Sequence, residues 1–256
     1  MKGGVELDTD IILMEEWAKE KVVKGLSGAV GDDLLESIRK ADLSERFSNG
    51  KKMLKWDLIN RNFIKAFRNS DIVAKYANRG PWFMVPLVDK RNGVVYSVLR
   101  EDRFSELHSK RDRRKKAHYI DAFLQMFNFN ITEYRQVSFF NDDFPDEEVC
   151  NIVQSVLESL NVARGIIKRH AIILFEEYNH ELVNVRCCIV DTNLNIVFEE
   201  SWNQYIKHEQ STITEQLAEN EMKEELVKPT LGKKARARKG SKVKISSNDI
   251  LQKDAN

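Results

Sequence analysis

The chain has 256 residues, a formal net charge of +1, 42% hydrophobic residues and 32% charged residues. That is enough apolar chain for one large domain or two small ones, and without an apolar run of spanning length it excludes an integral helical membrane protein. The near-neutral total hides a segregation: residues 228–256 carry nine Lys or Arg against two Asp, a surplus of seven that leaves −6 for the rest.

In chain order, the segment after Met1 has no apolar core of a secretory signal. The spacing of Leu7, Ile11, Met14 and Val22 predicts a helix from Leu7 to Lys24. Gly25, Gly28 and Gly31 then read as a break, and Asp32 as the cap of a short second helix through Leu34, Leu35 and Ile38. Leu54, Leu58, Phe63 and Phe67 form the apolar stripe of a third helix between Lys51 and Asn69. Residues 1–70 thus read as a helical N-terminal subdomain.

The period then changes. Pro81–Asp89 and Val94–Leu99 read as strands of a hairpin turned at Asn92-Gly93. Pro86, lacking an amide hydrogen, puts the first strand at a sheet edge or interrupts it. Glu101–His108 suits a helical turn, His118–Phe129 a helix and Ile131–Phe140 a strand. Asp142 to Asp146, with Pro145, starts a helix whose stripe is Val149, Ile152, Val153, Val156, Leu157 and Leu160. Lys168–Tyr178, Glu181–Val190 and Leu194–Ser201 make a meander of three strands. In the middle strand, Val183, Val185, Cys187 and Ile189 share one face and Leu182, Asn184, Arg186, Cys188 and Val190 the other, the alternation of a half-buried antiparallel sheet. Ser211–Val227 is a polar helix candidate. The fold class is α+β: a helical N-terminal part packed with an antiparallel sheet, an α+β domain over residues 71–227 and a disordered basic tail over residues 228–256.

No catalytic signature stands out. The glycines at 25, 28 and 31 lack the Gly-Lys-Ser/Thr ending of a phosphate loop and follow a helix rather than a strand. His108, His118, His170, His180 and His208 show no ligand spacing, there is no Cys-x-x-Cys, and neither metal nor cofactor is expected. Gly-x-Ser-x-Gly is absent. The pairs Glu176-Glu177 and Glu199-Glu200 fall on neighbouring strands, where metal-dependent nucleases hold Mg²⁺, but charged strand ends guarding against edge pairing explain them more simply. Cys150, Cys187 and Cys188 are an odd set in which the adjacent pair points to opposite faces, as in a reducing cytoplasm. Cys150 reads as a small core residue.

The basic run is more informative. Lys110, Arg111, Arg113, Arg114, Lys115 and Lys116 surround a single acid, Asp112, and such clusters neutralise phosphates and release counterions. His118 and Tyr119 follow at once and offer rings for stacking. The tail repeats the theme with Lys233, Lys234, Arg236, Arg238 and Lys239, then Lys242 and Lys244. A solvated face is the plain alternative for both. The charge pattern favours a non-enzymatic nucleic-acid-binding or regulatory protein. The alternative is a protein-interaction factor such as an antitoxin, inhibitor or phage-defence component. A nuclease using Glu176, Glu177 and Glu199 comes third.

Trp82-Phe83-Met84-Val85-Pro86-Leu87-Val88-Asp89, then Asn92-Gly93, Tyr96-Ser97-Val98-Leu99-Arg100 and Arg103-Phe104, resemble an uncharacterised family of similar-sized proteins of Gram-positive bacteria and their mobile elements. The resemblance covers about residues 50–205. It implies a mobile-element, phage or defence context and brings no assigned site.

Overall fold

In the computed structural model, residues 14–42, 50–79, 82–131 and 144–207 are described. The chain divides into two compact units, Met1–Ile206 and Lys207–Asn256, and every element below belongs to the first. The expected strand at residues 132–140, the helix at 211–227 and the basic tail lie outside the described residues.

Three helices open the fold: α1 (Glu16–Val30), α2 (Asp32–Lys40) and α3 (Lys51–Ala66). Gly25 and Gly28 do not break α1, which runs through both and stops at Gly31. The reason is tertiary. A Cβ on Gly25 would lie 3.2 Å from the Phe63 ring, and one on Gly28 would lie 3.1 Å from Asp33 Oδ2 and 3.5 Å from the Asn62 amide. The missing side chains let α1 approach its neighbours closely, and this packing outweighs the low helix propensity of glycine.

The strands are β1 (Ile72–Ala74), β2 (Ala77–Arg79), β3 (Trp82–Met84), β4 (Leu87–Asp89), β5 (Val94–Arg100), β6 (Arg169–Tyr178), β7 (Glu181–Val190) and β8 (Ile196–Ser201). Six of them form one sheet in the order β1–β4–β5–β6–β7–β8, while β2 and β3 pair separately. The expectation of a wholly antiparallel sheet is corrected at one pair: β5 and β6 run parallel from Val94↔Arg169 to Arg100↔Phe175. Parallel neighbours need a long crossover. Here it contains α4 (Glu101–Ser109), α5 (Tyr119–Phe127) and α6 (Asp146–Leu160).

Both sheet faces are therefore covered. Tyr96, Ile173, Phe175, Val185, Cys187 and Ile189 meet α1–α3 in one core. Val95, Leu99, Ile172, Leu174, Cys188 and Val190 meet α4–α6 in the other. The half-buried alternation expected of β7 is thus corrected over Cys187–Val190, all four of which are buried. Cys187 and Cys188 face different layers; burial pushes the Cys188 thiol up to about 12 and that of Cys187 well above its usual range. Cys150 is half-buried rather than in the core.

The hairpin expected between Pro81 and Leu99 forms as β4 and β5, with Asp89 Oδ1 accepting from the Arg91 and Asn92 backbone amides. The strand ahead of Pro86 is interrupted: β3 ends at Met84 and β4 begins at Leu87. The β6–β7 turn uses Asn179 (φ 49°) and His180 (φ 67°), the left-handed pair of a tight hairpin.

Candidate functional site

β4 pairs with only Val94–Tyr96 of β5, whereas β6 pairs along its whole length. The last four residues of β5 thus have no described strand partner on the β4 side. Ser97, Val98, Leu99 and Arg100 there line a cleft of about 600 Å³. α3 contributes Lys52, Lys55, Trp56 and Phe63, β3 contributes Trp82, Phe83 and Met84, and Arg103 and His118 come from α4 and the start of α5. Ligand pockets in proteins span a few hundred to about 1,000 Å³, so the size suits a small molecule or part of a polymer.

Four cations line the cleft, Lys52, Lys55, Arg100 and Arg103, against two carboxylates, Asp57 and Asp102. Glu177 of β6 ties two of these cations together. Its Oε1 accepts from Lys55 and, at 3.1 Å, from Arg100, while Arg100 also meets Asp102 at 3.1 Å. The second Glu177 oxygen is buried and has no partner. Arg103 pairs with Glu106, which also takes Lys110 at 2.6 Å, and these two cations hold the Glu106 carboxyl down at about 2. Three large apolar side chains stand half or more exposed nearby: Tyr76 at 51%, Trp82 at 51% and Phe83 at 66%. Tyr76 meets Phe83 edge-on, with ring centroids 6.2 Å apart at 80°.

Residues 12–252 match the family of unknown function DUF5986. The chain belongs to this family. No curated protein and no solved structure matches it. The family assignment covers nearly the whole chain and carries no activity.

The basic run is divided by the fold. Arg111 donates to the Thr192 carbonyl at 3.0 Å, and Arg114 reaches Asp121 at 2.6 Å. Asp121 is buried and also accepts from the His118 backbone amide, closing the capping box that starts α5. Burial pushes Asp121 up and Arg114 down, against the attraction within the pair. Arg113, Lys115 and Lys116 remain exposed and make no ion pair with another described residue. Tyr119 is 5% exposed, in edge-on contact with Phe123 and beside the His118 ring. Lys233, Lys234, Arg236, Arg238 and Lys239 lie outside the described residues.

The acidic pairs do not lie on neighbouring strands, because β7 separates β6 from β8, and Glu177, Glu199 and Glu200 are each paired with cations. Glu199 bonds Arg186, which also takes Glu101 at 2.7 Å, and Glu200 takes Lys19 at 2.6 Å. Among the described residues no three His, Cys, Asp or Glu side chains are grouped to hold a metal ion. No helix among them is long and apolar enough to cross a membrane.

One pair escaped the sequence reading. His170 Nε2 and Ser97 Oγ lie 3.0 Å apart in the core. Burial drives His170 down to about 3, so the ring is neutral. Its Nδ1 is buried without a partner, so the pair lacks the orienting third group of a nucleophile triad. The pairing follows from the parallel β5–β6 register, which no local sequence pattern announces. The cleft cations Lys52, Lys55, Arg100 and Arg103 escaped for a similar reason, being spread over α3, β5 and α4 rather than clustered in sequence.

Proposed function

We propose that this protein is a non-enzymatic nucleic-acid-binding protein whose contact surface joins the exposed cations of the Lys110–Lys116 segment to the adjacent cleft. The observation that carries this reading is continuity: Arg113, Lys115 and Lys116 are exposed and lead directly to His118, which lines a cleft with four cations and exposed aromatic rings. Cations outside internal ion pairs are the ones available to displace counterions from phosphate. The basic residues of the tail, from Lys233 to Lys239, add affinity without sequence readout. The same reading sets the protein in the cytoplasm of a Gram-positive bacterium or its mobile element. Three free cysteines support a reducing compartment, and the hairpin resemblance supports the context.

The test is a salt titration of binding to labelled double-stranded DNA, single-stranded DNA and RNA. The triple variant Arg113→Gln, Lys115→Gln, Lys116→Gln alters only exposed side chains. It should weaken binding to every sequence and reduce the slope of log affinity against log salt by about 2–3. Unchanged affinity and slope would remove the segment from the interface.

A second reading, a protein-interaction factor, is favoured by the exposed Tyr76, Trp82 and Phe83, since aromatic side chains are enriched at protein interfaces. It predicts a stoichiometric protein partner that stays bound through nuclease treatment.

A further inference from the structure

Resting on the nucleic-acid reading above, we infer that the cleft takes an unpaired stretch of nucleic acid, with bases stacked on Trp82 and Phe83 and the backbone held by Lys52 and the exposed Arg113, Lys115 and Lys116. Three observations converge. First, two large flat side chains are exposed by half or more at a recess, where burial against a ligand would otherwise be expected of them. Tyr76 packs edge-on against Phe83 and steadies its ring before any ligand arrives. Second, Lys52 in the cleft lining is exposed and makes no ion pair with another described residue, while Lys55, Arg100 and Arg103 are each paired with a carboxylate. Third, the exposed Arg113, Lys115 and Lys116 precede His118 of the cleft lining by two to five residues, close enough in the chain to serve the strand beyond the recess.

The same features select single strands over duplex. A duplex keeps its bases paired and stacked on each other, so ring faces in a recess have nothing to stack on. An unpaired strand offers a π-face at every base, and a groove of cations with aromatic platforms is how proteins hold one without sequence preference.

The experiment uses the full chain with fluorescein-labelled oligo-dT, oligo-U and a hairpin duplex of matched charge, at fixed low salt. Trp82→Ala and Phe83→Ala change exposed side chains and should leave thermal stability intact. Each should weaken single-strand binding about 5- to 100-fold while changing duplex binding less than two-fold. Trp82→Phe keeps a ring and should retain most of the affinity. It should also reduce the tryptophan quenching that unlabelled oligo-dT produces in the unmutated protein, leaving the part due to Trp56 of the cleft lining. Should Trp82→Ala and Phe83→Ala leave single-strand affinity unchanged while the Arg113, Lys115, Lys116 triple variant loses it, the cleft inference fails and the electrostatic reading survives. Absence of binding to any probe at low salt would overturn both. Displacement of oligo-dT by poly-glutamate, itself dependent on Trp82, would make the cleft a site for acidic peptides and overturn the inference.

Discussion

At the scale of single residues, the centre of the sheet is held by polar side chains that a hydropathy pattern passes over. Asn128 is fully buried; its amide donates to the carbonyls of His170 and Val190, and its Oδ1 accepts from the His170 amide. This fixes β6 and β7 against the end of α5. His170 is buried, neutral and held down to about 3 from an ordinary 6.5. The unfolded chain therefore takes up a proton below pH 6.5 that the folded chain refuses until about pH 3. Stability is full above 6.5 and falls as the pH drops through that window, by up to about 1.4 kcal/mol per pH unit. Urea midpoints measured between about pH 7.5 and pH 5 should show this decline before most carboxylates titrate. His170→Gln should flatten it, whatever its effect on stability at neutral pH. An unchanged slope would mean that His170 is not the group responsible. The sequence offered five histidines without ligand spacing; among the four that are described, burial distinguishes this one.

At the scale of elements, Gly93 shows how a local signal can be right for more than one reason. Asn92-Gly93 predicts the β4–β5 turn, and Gly93 adopts φ +71° there. The same glycine also receives the chain as it returns from the crossover. Its carbonyl accepts from the Lys168 and Arg169 amides, and a Cβ would lie 2.7 Å from the Ile166 carbonyl oxygen. Gly93→Ala should therefore cost about 2–3 kcal/mol, more than conformational strain alone, measured as a shift in the urea midpoint. The α1 glycines are the opposite case: a local rule predicts a break, and contact with Phe63, Asp33 and Asn62 makes them helix-packing residues instead. The basic run falls between these cases. Its existence is plain in the sequence, but the division into Arg111 and Arg114, which bond inward, and Arg113, Lys115 and Lys116, which stay exposed, follows from where Thr192 and Asp121 sit.

At the scale of the whole molecule, helices cover both faces of the sheet, so neither layer can leave without exposing a core. Trp17, Trp56 and Trp202 report on the α1–α3 side. In a Trp82→Phe background, their fluorescence and the far-UV circular dichroism should follow one urea transition with coincident midpoints. An earlier fluorescence change would mean that α1–α3 unfold on their own. The sequence by itself determined the helices and strands with clean periods: α3, α5, α6, the β4–β5 hairpin and the β6–β8 meander, together with the charge segregation. These depend on spacing, turn chemistry and composition, which act over a few residues. Only the tertiary structure decided the parallel β5–β6 pair, the buried Ser97–His170 contact and the cleft where α3, β3, β5 and α4 meet. Each of those depends on the long crossover through α4–α6. It brings together side chains separated by up to about 120 positions, and no local pattern encodes which of them will meet.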